Sequence, residues 1–81
     1  MSSQVLVYTT DDCIECEYVK RFLESEGIAF LTKNIKDNPE YEQEVQAYGY
    51  LGVPVTVFKE QAIKGLTPDL QKLVKAVRDQ G

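Results

Sequence analysis

The 81-residue chain contains no histidine and no tryptophan. Without histidine there is no Cys–His nucleophilic catalysis, no imidazole general base and no zinc site with a histidine ligand. Only two cysteines occur, so a four-thiolate metal site would need a second chain. No apolar run approaches the ~20 residues of a membrane span, and the first residues lack the basic and apolar regions of a secretory leader. No membrane association and a cytoplasmic location are therefore expected, and in the cytoplasm thiols are kept reduced and a disulfide is usually catalytic. Positive charge is scarce as well. Nine Lys and Arg against 13 Asp and Glu leave a net charge of -4, which argues against nucleic acid as a partner, because phosphate binding needs a clustered basic surface.

The length suits a single small domain over residues 1–81. Hydrophobic residues make up 43% and charged residues 27%, globular proportions that predict a packed core rather than disorder. Both cysteines fall in Asp11-Asp12-Cys13-Ile14-Glu15-Cys16. The pair follows a short apolar run, Val5-Leu6-Val7-Tyr8, and precedes an amphipathic stretch. A strand that ends in a turn, with a helix opening at Cys13, is the context of a redox dithiol rather than of a structural bridge.

The remaining elements follow from periodicity and caps. Gln4–Tyr8 reads as an interior strand. Asp11 or Asp12 is a candidate N-cap for a helix from Cys13 to about Glu26, whose apolar face is Val19, Phe22 and Leu23 and whose stop is Gly27. Ile28–Ile35 carries β-branched and aromatic residues and predicts a second strand, parallel to the first across a right-handed crossover. Asn38-Pro39 opens a second helix with Glu40 and Glu42 in its first turn and Tyr41, Val45 and Tyr48 on one face; Gly49 closes it. Val55–Phe58, the turn Lys59-Glu60-Gln61 and the return through Ala62-Ile63 predict a hairpin. Gly65 breaks it, and Thr67-Pro68-Asp69 starts a last helix with Leu70, Leu73, Val74 and Val77 as its face. The order β-α-β-α-β-β-α predicts an α/β fold: a four-stranded mixed sheet flanked by three helices, the minimal thioredoxin-like architecture.

At the start of a helix, free N–H groups and the helix dipole favour a Cys13 thiolate. Cys16, one turn further in, is within reach of Cys13 and less accessible. Cys13 is thus the candidate nucleophile that forms a mixed disulfide, and Cys16 the thiol that resolves it. Asp11, Asp12, Glu15 and Glu17 oppose the thiolate, which favours the disulfide form and hence a reducing couple. Two other readings compete: half of a metal or iron–sulfur site completed by dimerisation through Cys13, and two unreactive core cysteines, which suit the acidic surroundings poorly. A Val53-Pro54 bond beside a dithiol is a candidate cis peptide that leaves the Val53 backbone free to pair with an extended substrate segment; a proline that merely starts a strand is the plain alternative. Gly65 is either a point of close approach for a partner's backbone or a simple loop glycine. The five tyrosines read as core and rim packing.

Tyr8-Thr9-Thr10 followed by Cys13-Ile14-Glu15-Cys16, then Gly52-Val53-Pro54-Val55 and Gly65-Leu66-Thr67-Pro68-Asp69, resembles the glutaredoxin superfamily over essentially the whole chain. Val19-Lys20-Arg21-Phe22-Leu23 and Asn38-Pro39-Glu40-Tyr41 look most like the NrdH-redoxin branch. The resemblance implies thiol–disulfide exchange with Cys13 and Cys16 as the catalytic pair, Pro54 as the cis proline, and Thr10, Ile14, Glu15, Val53, Pro54 and Gly65 against the substrate. It implies a monomer without metal or cofactor, acting on a disulfide-containing protein, with ribonucleotide reductase the branch's substrate and thioredoxin reductase its electron source. A glutathione-dependent glutaredoxin is the alternative on the same fold. Against it, Ile14-Glu15 replaces the usual Pro-Tyr, Thr10-Asp11-Asp12 the usual lysine, and Lys64-Gly65 the usual Gly-Gly. The branch's Trp-Ser-Gly-Phe-Arg segment is here Ile63-Lys64-Gly65-Leu66-Thr67.

Overall fold

Along the first strand, Val5 and Val7 pack on one side and Leu6 and Tyr8 on the other, and this period-two alternation divides the interior into two cores. The computed structural model describes residues 4–80. In order, the elements are β1 (Val5–Thr9), α1 (Ile14–Ser25), β2 (Phe30–Asn34), α2 (Pro39–Ala47), β3 (Val55–Phe58), β4 (Gln61–Lys64) and α3 (Pro68–Gln80). The sheet runs β2-β1-β3-β4. β2 is parallel to β1, with Val5 opposite Phe30, while β3 is antiparallel to β1, with Val5 opposite Phe58 and Tyr8 opposite Val55. β4 returns antiparallel on β3. This is the mixed four-stranded sheet with three helices that the element order predicts.

α1 and α3 cover the face bearing Val5, Val7 and Phe58, through Val19, Leu23, Leu70, Leu73 and Val74. α2 covers the other face, setting Val45 on Tyr8, Val55 and Val57. Each fully buried aliphatic side chain of this kind contributes roughly 1.5–3 kcal/mol of transfer free energy, so the two interlayers, rather than helix propensity, hold the helices on the sheet.

The helix ends explain where the elements depart from expectation. α1 closes with a reciprocal pair of bonds, Ile28 N–H to the Leu23 carbonyl at 2.9 Å and Gly27 N–H to the Glu24 carbonyl at 3.0 Å. That motif needs a left-handed residue, and Gly27 supplies it at φ 73°. The second strand was expected from Ile28, but the Ile28 N–H is spent on the helix and its side chain lies in the α1–α3 core; β2 therefore begins at Phe30. α2 opens on Asn38, whose side chain accepts from Glu40 N–H at 3.0 Å, with Pro39 as its first residue. It closes in the same manner as α1, through Gly49 and Tyr50 to Gln46 and Val45. β1 begins and ends one residue later than expected.

A polar cluster fastens β1, β2 and α2 together. Tyr8 Oη donates to Glu44 Oε1 at 2.5 Å, and Lys33 Nζ donates to the same oxygen at 3.2 Å. The Lys33 ammonium also lies 5.4 Å from the Tyr8 ring centroid and 5.3 Å from that of Tyr41, close enough for cation–π attraction. Burial, then the adjoining Glu44 carboxylate, pushes the Tyr8 phenol well above its ordinary value. The Tyr8 hydroxyl in turn holds the Glu44 carboxyl below its own ordinary value, outweighing partial burial, and Lys33 adds to the effect.

Removing that hydroxyl with Tyr8→Phe is expected to cost about 1 kcal/mol at pH 7, a charge-assisted bond discounted for solvent screening because the Glu44 side chain is 38% exposed. A carboxyl depressed in the folded state stabilises it above the unfolded value of about 4.3 and ceases to do so as pH falls through the folded value. A phenol raised in the folded state stabilises it below about 10 and ceases to do so as pH rises through the folded value. Urea midpoints of wild type and Tyr8→Phe should therefore differ most between these limits and converge outside them. A gap as wide at pH 3 as at pH 7 would rule this account out.

Candidate active site

β1 ends at Thr9, whose carbonyl accepts from Ile35 N–H at 2.9 Å. Thr10 and the turn Asp11-Asp12 follow. Asp12 is left-handed at φ 56°, a conformation Asp tolerates better than most residues, and Asp11 Oδ1 accepts from Asn34 Nδ2 at 2.9 Å. Neither carboxylate caps α1. The N-cap is Cys13 itself, extended at φ -114° and ψ 104°, with its carbonyl accepting from Glu17 N–H at 3.3 Å and its Sγ accepting from Cys16 N–H at 3.1 Å. The expected aspartate cap is thus replaced by sulfur, because Asp11 is committed to β2 and Asp12 forms the turn one residue too early.

A disulfide joins Cys13 and Cys16, with Cα atoms 5.2 Å apart. The two sulfur residues differ in access. Cys16 is fully buried, in line with Val19 and Leu23 on the inward stripe of α1, whereas Cys13 is only half-buried and Ile14 beside it is 70% exposed. Asp11, Asp12, Glu15 and Glu17 are all exposed around the helix start.

The loop before β3 and the loop after β4 supply the other wall. Val53-Pro54 is a cis peptide. Among the described residues, the Val53 backbone N–H and carbonyl have no hydrogen-bond partner, since the β1–β3 pairing begins at Val55. The Pro54 carbonyl accepts from Gly65 N–H at 2.9 Å. Gly65 is left-handed at φ 79°, and its neighbour Leu66 donates its N–H to Glu15 Oε2 at 3.3 Å. Glu15 on α1 is thus bonded to Leu66, and Pro54 to the neighbouring Gly65, so two bonds tie the helix start and the loop before β3 to the loop after β4. Thr10 makes no hydrogen bond to them among the described residues; its carbonyl accepts a long 3.5 Å bond from Thr9 Oγ1.

Two residues that sequence reasoning passed over belong on the same loops. Leu51 is 95% exposed and Leu66 is 46% exposed. The available signal was an apolar side chain in a loop with no periodic partner to bury it. Among the described residues, no three His, Cys, Asp or Glu side chains converge as a metal site, and no helix is long and apolar enough to cross a membrane. A surface concavity lined by Phe58, Lys59, Glu60, Gln61 and Ala76 lies at the wrong end of the sheet for this chemistry, because Phe58 pairs with the first residue of β1 and Cys13 follows its last.

A vicinal dithiol at the turn between β1 and α1 of this mixed sheet, with one sulfur accessible and one buried, defines a thioredoxin-fold thiol–disulfide oxidoreductase. The family model described as glutaredoxin matches residues 5–63, and the chain belongs to that family. The glutaredoxin-like protein NrdH of Escherichia coli (strain K12) is 30% identical over 67 residues, 83% of either chain. That of Lactococcus lactis subsp. cremoris (strain MG1363) is 36% identical over 70 residues, covering 85% of this chain and 97% of the relative. The solved NrdH-redoxin from Escherichia coli superposes with a TM-score of 0.78 at 28% identity, over 86% of this chain and 92% of that one.

Proposed function

We propose that the protein is a dithiol reductase of protein disulfides, with Cys13 as nucleophile and Cys16 as resolving thiol. The observation that carries this reading is the inequality of the two sulfurs: Cys13 half-exposed at the helix cap, Cys16 buried behind it. In the reduced protein, the Cys13 thiolate attacks one sulfur of the substrate disulfide. One thiolate leaves and a mixed disulfide forms. Deprotonated Cys16 then attacks Cys13 Sγ, the second substrate thiolate leaves, and the pair is left as the Cys13–Cys16 disulfide. The substrate gains two electrons and, after protonation, two protons; the dithiol loses them. The Cys16 N–H that points at Cys13 Sγ and the helix terminus stabilise the thiolate as attacker and as leaving group. The unpaired Val53 backbone accepts an extended substrate segment alongside Pro54, with Thr10, Ile14, Glu15 and Gly65 bordering it.

The electron source in this reading is thioredoxin reductase rather than glutathione, and the protein works as a cytoplasmic monomer on a protein disulfide such as that of ribonucleotide reductase. The thioredoxin-like activity profile named for the related Escherichia coli NrdH-redoxin and the exposed acids at the helix start, which repel glutathione's carboxylates, support this choice. It is tested by NADPH oxidation coupled to insulin reduction, with thioredoxin reductase in one arm and glutathione plus glutathione reductase in the other. Turnover at least about tenfold faster in the first arm is expected; turnover confined to the glutathione arm would reverse the assignment.

A further inference from the structure

Glu15 sits between the two cysteines, yet its carboxylate points across the site to a loop 51 residues away, where Oε2 accepts the Leu66 N–H at 3.3 Å. The same oxygen lies only 2.6 Å from where a Cβ on Gly65 would be, nearer than any atom beyond the two adjoining residues, and Gly65 is buried although Lys64 and Leu66 on either side are exposed. The Gly65 N–H is already bonded to the Pro54 carbonyl, so Leu66 offers the outward-facing donor of this turn. A left-handed glycine followed by an outward N–H is a backbone cradle of the kind that receives carboxylates. Here the cradle holds a carboxylate from the chain itself.

We infer that Glu15 is a specificity-determining residue that occupies the Gly65–Leu66 cradle as an internal latch and keeps carboxylate-bearing small disulfides away from Cys13. The inference rests on the reductase reading and adds a selection rule to it. A small disulfide carrying a carboxylate must displace Glu15 from the Leu66 N–H and must do so against a like charge. A disulfide in a protein segment that presents no carboxylate there meets neither obstacle. Asp11, Asp12 and Glu17 add to the repulsion but are not bonded into the cradle, so occupancy and charge can be separated by experiment.

The separation uses the reduced protein and two matched probes, neutral 2,2′-dithiodiethanol and anionic 3,3′-dithiodipropionate. Each turnover oxidises the Cys13–Cys16 dithiol to its disulfide and yields two probe thiols, so no auxiliary reductase is needed. The readout is the ratio of second-order rate constants, anionic over neutral, from alkylation-quenched mass spectrometry. Glu15→Ala is expected to raise that ratio about tenfold by removing occupant and charge together. Glu15→Asp keeps the charge but is one methylene too short to reach Leu66, and about a threefold rise is expected. Both substitutions should also shift the Leu66 amide resonance. A Glu15→Asp ratio equal to wild type would assign the effect to charge alone and overturn the latch, as would a Leu66 amide unmoved in Glu15→Ala. Wild-type protein that neither probe oxidises would sink the reductase reading and the latch with it, whereas oxidation by both at an unchanged ratio in every variant sinks the latch only.

Discussion

Cys13→Ser abolishes disulfide reduction, with turnover of insulin falling on the order of a thousandfold, to the rate of the bare reductant, because a serine hydroxyl is neither ionised at neutral pH nor able to form the mixed disulfide. The substitution is unusually clean. Cys13 is the N-cap of α1 and its Sγ accepts the Cys16 N–H; serine is among the preferred N-cap residues and its oxygen can take the same bond. Relative to the reduced wild type, the melting temperature should therefore stay within a few degrees. Loss of activity then reports chemistry and not unfolding. Cys16 behaves differently. It is fully buried, so serine there buries a hydroxyl at a cost of about 1–3 kcal/mol if it finds no partner, and alanine is the better variant. Cys16→Ala should still attack a substrate disulfide once but fail to resolve it, so a stoichiometric mixed disulfide accumulates and is seen by non-reducing electrophoresis. Retention of multiple turnover in Cys13→Ser would exchange the two roles.

The ease with which α1, α2 and the dithiol turn were read from sequence has a local cause. Caps and periods are short-range: Asn38-Pro39, the glycine after each of the first two helices, and Leu70, Leu73 and Val74 all announce themselves within one or two turns. The departures arise where a group finds a partner the pattern does not specify. Ile28 looks like a strand residue but gives its N–H to Leu23. Asp11 looks like a cap but is bonded to Asn34. Tyr8 continues an apolar run, and nothing near it in sequence reveals the Glu44 acceptor 36 residues away. Glu15 reads as one more exposed acid until β4 and its following loop are folded back against α1. The Cys13–Cys16 pair, by contrast, lies within one helical turn of sequence. The bonds from Leu66 to Glu15 and from Gly65 to Pro54 required the three-dimensional path of the chain.

The largest loss of stability is expected at Leu23. It has no exposed surface and packs among Val5, Val7, Val19, Phe58, Leu70, Leu73 and Val74, where α1, α3 and the sheet meet. Leu23→Ala removes buried methyl and methylene groups and leaves a cavity whose walls belong to β1, β3, α1 and α3, so no single shift can close it. Such sites cost about 3–5 kcal/mol. A chain of this size has roughly 4–12 kcal/mol in total, so one substitution removes a large fraction, and the melting temperature should fall by about 18–30 °C. Leu51→Ala provides the contrast: at 95% exposure it removes almost no buried area, and its melting temperature should stay within about 0.5 kcal/mol equivalent of wild type. Cys16, Val19 and Leu23 are the buried residues of α1 and lie on one stripe of it. Thermal unfolding of the reduced proteins, monitored by far-ultraviolet circular dichroism, measures both variants. A Leu23→Ala shift no larger than that of Leu51→Ala would mean that α1 is held by something other than the core it shares with α3.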